Sequence, residues 1–131
     1  MTITKAKELA TRYHQGQVDK AGAPYINHPT QVERMVKGKE AKIVAYLHDL
    51  LEDTNCQPKE ILEIFNLSTL NTVKLLTRNP NQQYEDYILQ IKNHPVARQV
   101  KIADLKHNLN LMRIENITKK MLKEVRSIFW H

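Results

Sequence analysis

Apolar positions recur along the chain at intervals of three and four residues, and the rhythm breaks at a few places. Ile3, Ala6, Leu9, Ala10 and Tyr13 fall on one face and predict a helix over 3–15. The stretch QGQVDKAGAPYIN then carries Gly16, Gly22 and Pro24, and it predicts a loop. Pro29 suits a first helical position, which predicts a second helix over 29–37. A third is predicted over 39–52, and further helices over 58–65, 68–77, 84–93, 95–112 and 115–129. Asn79-Pro80-Asn81 and His94-Pro95 mark two of the breaks, because the residue before a proline is biased away from helix. No stretch alternates convincingly with period two. The expected fold class is therefore all-α.

Composition narrows this picture without changing it. A chain of 131 residues predicts one domain, spanning 1–131, with room for a real core. Three glycines and five prolines are few for a many-turned β fold. The single cysteine, Cys56, rules out a disulfide within the chain and a zinc-type cysteine cluster. A reducing, cytoplasmic setting is the expectation, since MTITKAKELA lacks an apolar signal core and no run is long enough for a membrane span. The formal charge of +6 suits an anionic partner, nucleic acid or phosphorylated small molecule, and equally a generic basic surface. Lys119, Lys120, Lys123 and Arg126 share one arc of the last predicted helix, a pattern usual for a solvated face.

The chemistry concentrates on the third helix, in AYLHDLLEDT. With His48 set at zero on a helical wheel, Glu52 falls at about 40°, Asp49 at about 100° and Asp53 at about 140°. Ile43, Val44, Leu47, Leu50 and Leu51 occupy the arc from about 200° to 320°. One side is thus apolar, and the other holds four ionisable groups around Ala41 and Ala45. Such a side could be an ordinary solvated acidic face. A second segment shifts the balance: Asp104 and Asn108 lie one turn apart among Ala97, Val100, Leu105, Leu111 and Met112. A carboxylate in an apolar stripe is costly unless paired or bound to a cation, so it makes an interhelix hydrogen bond or faces the same centre as His48 and Asp49. His28, in PYINHP, stands before a proline at the mouth of the second helix, where its ring can project inward or cap.

Two imidazoles and two carboxylates form a mixed nitrogen and oxygen set that suits Mn²⁺, Fe²⁺ or Zn²⁺. Such a cation polarises phosphoryl groups and acidifies bound water. Glu52 and Asp53, one turn beyond His48 and Asp49, are spaced to orient or deprotonate that water.

With these residues in hand, the sequence resembles the HD-domain phosphohydrolases, and among them the hydrolase domain of the RelA/SpoT family. The resemblance rests on His14-Gln15-Gly16-Gln17, Lys20-Ala21-Gly22, Pro24-Tyr25-Ile26-Asn27-His28-Pro29, His48-Asp49-Leu50-Leu51-Glu52-Asp53-Thr54, and Val100-Lys101-Ile102-Ala103-Asp104 through His107-Asn108. It implies a compact helical bundle and removal of the 3′-pyrophosphate from ppGpp and pppGpp. It implies His28, His48, Asp49 and Asp104 as ligands, typically of Mn²⁺, with Glu52 and Asp53 handling the attacking water. It further implies that Asn108 contacts the ribose and that Lys20 brackets the base or a phosphate. His14 is read as a hydrogen bonder that fixes the loop, and Tyr25 as a residue packed beneath it.

The pattern departs from the family at one position. Family hydrolases usually carry an arginine before the loop lysine, where guanine stacks, and here that residue is Asp19. An acid supplies no stacking plane and repels phosphate, so weak guanine preference is expected, with Asp19→Arg improving ppGpp binding. The chain is also short beside the family and carries no synthetase domain. The expectation is a metal-dependent (p)ppGpp 3′-pyrophosphohydrolase or an enzyme for a related nucleotide. The alternatives are a phosphohydrolase of another nucleotide, such as a nicotinamide dinucleotide phosphate or a purine nucleotide, and a non-catalytic metal- and nucleotide-binding module. A nucleic-acid binder is disfavoured, because basic and aromatic residues do not interleave.

Overall fold

The computed structural model describes residues 2–19 and 21–111 and positions 123, 124, 126 and 128. The helices are α1 (Ile3–Tyr13), α2 (Asn27–Met35), α3 (Lys39–Leu47), α4 (Leu50–Asp53), α5 (Pro58–Ile64), α6 (Leu67–Leu76), α7 (Tyr84–Lys92) and α8 (Pro95–Leu111). Among the described residues the only β pairing is an isolated bridge, Val18 with Pro24, which pinches the loop after α1. The fold class is all-α, as the periodicity predicts. The helix predicted over 115–129 lies largely outside the described residues; within it, Lys123 pairs with Glu85 at 3.2 Å. No described helix is long and apolar enough to cross a membrane.

Local chemistry explains the ends. The Thr2 hydroxyl accepts from the Lys5 amide at 3.0 Å and caps α1, and the Asn66 carboxamide does the same for α6 through Thr69, at 2.8 Å. Pro58 opens α5, where its missing N–H costs nothing. Gly38 precedes α3 with φ +93°, a left-handed conformation that a side chain would strain.

α3 is the centre of the molecule. Ala41, Ile43, Val44, Ala45, Tyr46 and Leu47 are all buried, so beyond its exposed first turn the helix is largely enclosed by α1, α2, α6 and α8. The two-sided wheel drawn from sequence is wrong on that point: the side around Ala41 and Ala45 is packed, not open. Small side chains there let neighbouring helices approach closely. The core continues through Ala6, Leu9 and Ala10 of α1, Val73 and Leu76 of α6, and Val100 and Leu105 of α8.

Two further expectations need correction. The helix predicted over 39–52 is broken: α3 ends at Leu47, and α4 begins at Leu50. His48 and Asp49 keep right-handed helical angles, but Asp49 drifts to φ −99°, ψ −6° and tightens the chain. His28 also does not stand outside α2. It sits within the first turn, since α2 starts at Asn27, and it is 1% exposed. In a first turn the proline lacks only an amide that would have no helical partner anyway, so the bias against helix at His28 is overcome by tertiary contacts.

Candidate metal centre

The break at His48-Asp49 is what gathers the site. On a continuous helix adjacent side chains diverge and do not face one another. Here His48 Nε2 and Asp49 Oδ1 approach to 3.1 Å. The opposite ring nitrogen, His48 Nδ1, lies 2.6 Å from the Ala45 carbonyl oxygen. A carbonyl only accepts, so Nδ1 carries a proton, and in the neutral ring Nε2 is the nitrogen with a free lone pair.

α8 brings Asp104 up from the other side. Its Oδ1 lies 2.8 Å from His28 Nε2, 3.5 Å from His48 Nε2 and 3.1 Å from the Asn108 amide nitrogen. Its Oδ2 lies 3.5 Å from Lys101 Nζ. One potential ligand atom each from His28, His48 and Asp104 falls within 4.8 Å of the others, and all three residues are buried. Asp49 stands at the edge of this trio, and its Oδ2 accepts a hydrogen bond from the Tyr25 hydroxyl.

These residues fit a divalent cation. His48 Nε2 is buried beside two carboxylate oxygens and yet has no hydrogen-bond partner. That is the place a positive charge would take. The electrostatics agree. Burial disfavours a charged His48 ring, but Asp49 and Asp104 outweigh it and hold its pKa well above the usual range. Burial likewise works against the Asp104 carboxylate, and Lys101, His28 and His48 overcome it, so its pKa falls well below the ordinary value.

The trio lies in a cavity of about 310 Å³ whose lining also includes Asp19, Tyr25, Glu52, Asp53, Lys101 and Asn108. Glu52 and Asp53 are exposed at its wall. Glu52 Oε1 accepts from the Arg78 amide at 3.0 Å, which fixes its direction. Partial desolvation, with Asp49 and Glu52 close by, pushes the Asp53 carboxyl up to about 6. Asn108, expected at the ribose, lines the cavity while its amide nitrogen is engaged on Asp104. Lys20 lies outside the described residues.

Asp19 has a structural task that the sequence conceals. Its Oδ1 accepts from the amides of Ala21 at 2.8 Å and Ala23 at 3.0 Å and so fastens the loop. His14 acts as the loop-fixing hydrogen bonder: its Nδ1 meets Gln17 Oε1 at 2.9 Å, and Gln17 in turn donates to the Asp53 carbonyl at 3.2 Å. Tyr25 does more than pack, since it orients Asp49. Sequence reasoning also passed over His107 as a site residue. Its Nδ1 lies 2.7 Å from His28 Nδ1. Its spacing of three from Asp104 places it on the same side of α8, and that spacing was the available signal.

No family model matches the chain. Known proteins do. The chain is 32% identical over 141 aligned residues to a guanosine-3′,5′-bis(diphosphate) 3′-pyrophosphohydrolase of Aquifex aeolicus, covering 97% of this chain and 20% of that protein. It is 30% identical over 128 residues to a GTP pyrophosphokinase of Myxococcus xanthus, covering 84% of this chain and 17% of that one. The chain thus spans about a fifth of these relatives' length. A solved structure described as a metazoan ortholog of SpoT that hydrolyses ppGpp and plays a role in starvation responses superposes with a TM-score of 0.78. Its identity is 21%, with 97% of this chain and 85% of that one covered, and this likeness bears on the fold. Among the described residues, helices packed around a buried His-Asp cluster are consistent with an HD-type domain. Within that class the chain belongs to the RelA/SpoT family over the stretch it shares with these relatives.

Proposed function

We propose that this chain is a divalent-metal-dependent nucleotide pyrophosphohydrolase that removes the 3′-pyrophosphate from (p)ppGpp or a closely related nucleotide. The observation that carries the reading is the buried His48 Nε2, unpartnered between two carboxylates, in a cavity whose wall presents Glu52 and Asp53. The names of the relatives support the substrate class. His28, His48, Asp49 and Asp104 would hold the cation; the mixed donor set suits Mn²⁺, Fe²⁺ or Zn²⁺, and Mn²⁺ is the ion the family resemblance implies. When bound, it supplies Lewis-acid polarisation of a phosphoryl oxygen and acidification of water.

The chain's own residues do the rest. Asp53, with its carboxyl at about 6, is matched to taking a proton from water near neutral pH. Glu52, held by the Arg78 amide, orients that water. Tyr25 keeps its proton, because burial and Asp49 raise its pKa, and it fixes Asp49 as a permanent donor. Asn108 and Lys20 are proposed on the substrate side, and a cytoplasmic place of action is proposed from the nucleotide substrate.

The test is pyrophosphate release from ppGpp by protein loaded in turn with Mn²⁺, Mg²⁺ and Zn²⁺, beside a panel of other nucleotides. Glu52→Gln with Asp53→Asn should lower turnover by about 10²- to 10⁴-fold and leave metal affinity unchanged. Wild-type turnover in the double variant would remove both residues from the chemistry. Faster cleavage of another nucleotide would reassign the substrate and leave the centre in place.

A further inference from the structure

Both ring nitrogens of His28 are engaged. Nε2 lies 2.8 Å from Asp104 Oδ1, and Nδ1 lies 2.7 Å from Nδ1 of His107. The two rings are 19° from parallel with centroids 5.0 Å apart. The nitrogens are much closer than the centroids, so the rings meet edge to edge, as an N–H···N bond requires. Such a bond needs one proton and only one: with two the hydrogens collide, and with none two lone pairs face each other.

We propose that His107 is a positioning residue that lets His28 exchange its ring tautomer and so free Nε2 for a cation. The inference rests on the metal-centre reading above. With its Nε2 against Asp104, His28 donates Nε2–H to that carboxylate, and His107 supplies the shared proton from its own Nδ1. A cation needs the Nε2 lone pair, so His28 must then carry Nδ1–H, and His107 must accept it and hold its proton on Nε2. The proton on His28 Nε2 leaves to solvent, the shared proton crosses from His107 to His28, and His107 gains one at Nε2 from solvent. The net proton count is unchanged. His107 is half-buried where His28 is 1% exposed, so it is the member of the pair with solvent access for this exchange. His48 differs: its Nδ1 faces a carbonyl, which allows one tautomer permanently. His28 is the adjustable ligand and His48 the fixed one.

The experiment combines ¹⁵N-histidine NMR with calorimetric Zn²⁺ titration, Zn²⁺ being diamagnetic. In metal-free protein the His107 proton should be on Nδ1, and after Zn²⁺ loading it should be on Nε2, with His28 protonated at Nδ1. His107→Leu, which can neither donate nor accept, should bind Zn²⁺ about 10- to 100-fold more weakly. His107→Gln offers both a donor and an acceptor, so it should recover most of that loss, which a purely space-filling role would not predict. A His107 ring that keeps Nδ1–H in the loaded protein overturns the proposal. So does a folded Leu variant with wild-type affinity, or a Gln variant as weak as Leu. A wild-type protein that takes up no Zn²⁺ overturns the cation reading and this one with it, an outcome distinct from the others.

Discussion

The floor and the rim of the cavity are built on opposite principles. In the floor, His28, His48 and Asp104 are 1%, 4% and 7% exposed, and each rests on helices packed into the core. A second atom of each of these residues is also held: Nδ1 of His28 by His107, Nδ1 of His48 by the Ala45 carbonyl, Oδ2 of Asp104 by Lys101. At the rim, Glu52 and Asp53 are exposed and Asp19 hangs on a loop closed by its own carboxylate. Burial makes the floor rigid, and it ties cation binding to fold stability. The rim can change without cost to the core, so substrate choice can drift there while the centre stays fixed.

Three interventions separate the two regions. The largest effect is expected at Asp104→Ala. It removes a proposed ligand and leaves Lys101, half-buried beside Tyr87 and Tyr84, without its principal counter-charge. Breaking a buried pair by removing one partner costs about 3–5 kcal/mol, so chemical denaturation should show the loss even in metal-free protein, together with loss of cation uptake. A variant of wild-type stability would show that the floor is not coupled to the fold.

A smaller effect is expected at Asp19, and the structure changes its form. Asp19→Arg was expected to tighten ppGpp binding, but it also removes the acceptor of two loop amides. Asp19→Asn keeps an acceptor oxygen and deletes only the charge, so it isolates repulsion from loop closure. Lifting one unit of repulsion near solvent is worth about 1 kcal/mol, which should lower KM for ppGpp about fivefold with kcat unchanged. If Asn does nothing and Arg raises KM, Asp19 serves the loop alone.

The smallest effect is a pH dependence at the rim. Asp53 rises from 3.8 to about 6 on folding, chiefly by desolvation. Between those values the folded chain binds more protons than the unfolded one, so stability falls as pH rises through this window. Metal-free protein should therefore lose some stability between pH 4 and pH 6 that Asp53→Asn does not lose. Parallel profiles for the two proteins would place the carboxyl in ordinary solvent.

Much of this was legible along the chain, for identifiable reasons. Helices such as α1 and α6 announce themselves because their apolar spacing and caps are local. Asp104 was legible because a carboxylate amid apolar neighbours needs a partner, while the joining of His28 and His48 to it was what the family resemblance implied. The break at His48-Asp49 was not, since both residues keep helical angles and nothing in their propensities forces a stop. Nor was the burial of Ala41 and Ala45, because alanine reads as neutral until its neighbours are known. The partners of Tyr25 and His107, Asp49 and His28, lie across the fold and are not encoded by periodicity, whereas Lys101 and Asp104 are three residues apart on α8 and their pairing was within reach of the spacing.

The pairing of His28 with Asp104 joins positions 76 residues apart. During synthesis, α2 and α3 emerge long before α8 exists, so an unfinished chain holds His28 and His48 with no carboxylate from Asp104 to complete the trio. Closing so long a loop has an entropic cost that only the docking of α8 on α2 and α3 offsets. A cation held as proposed on this trio would therefore find its full set of donors only once α8 has docked on α2 and α3.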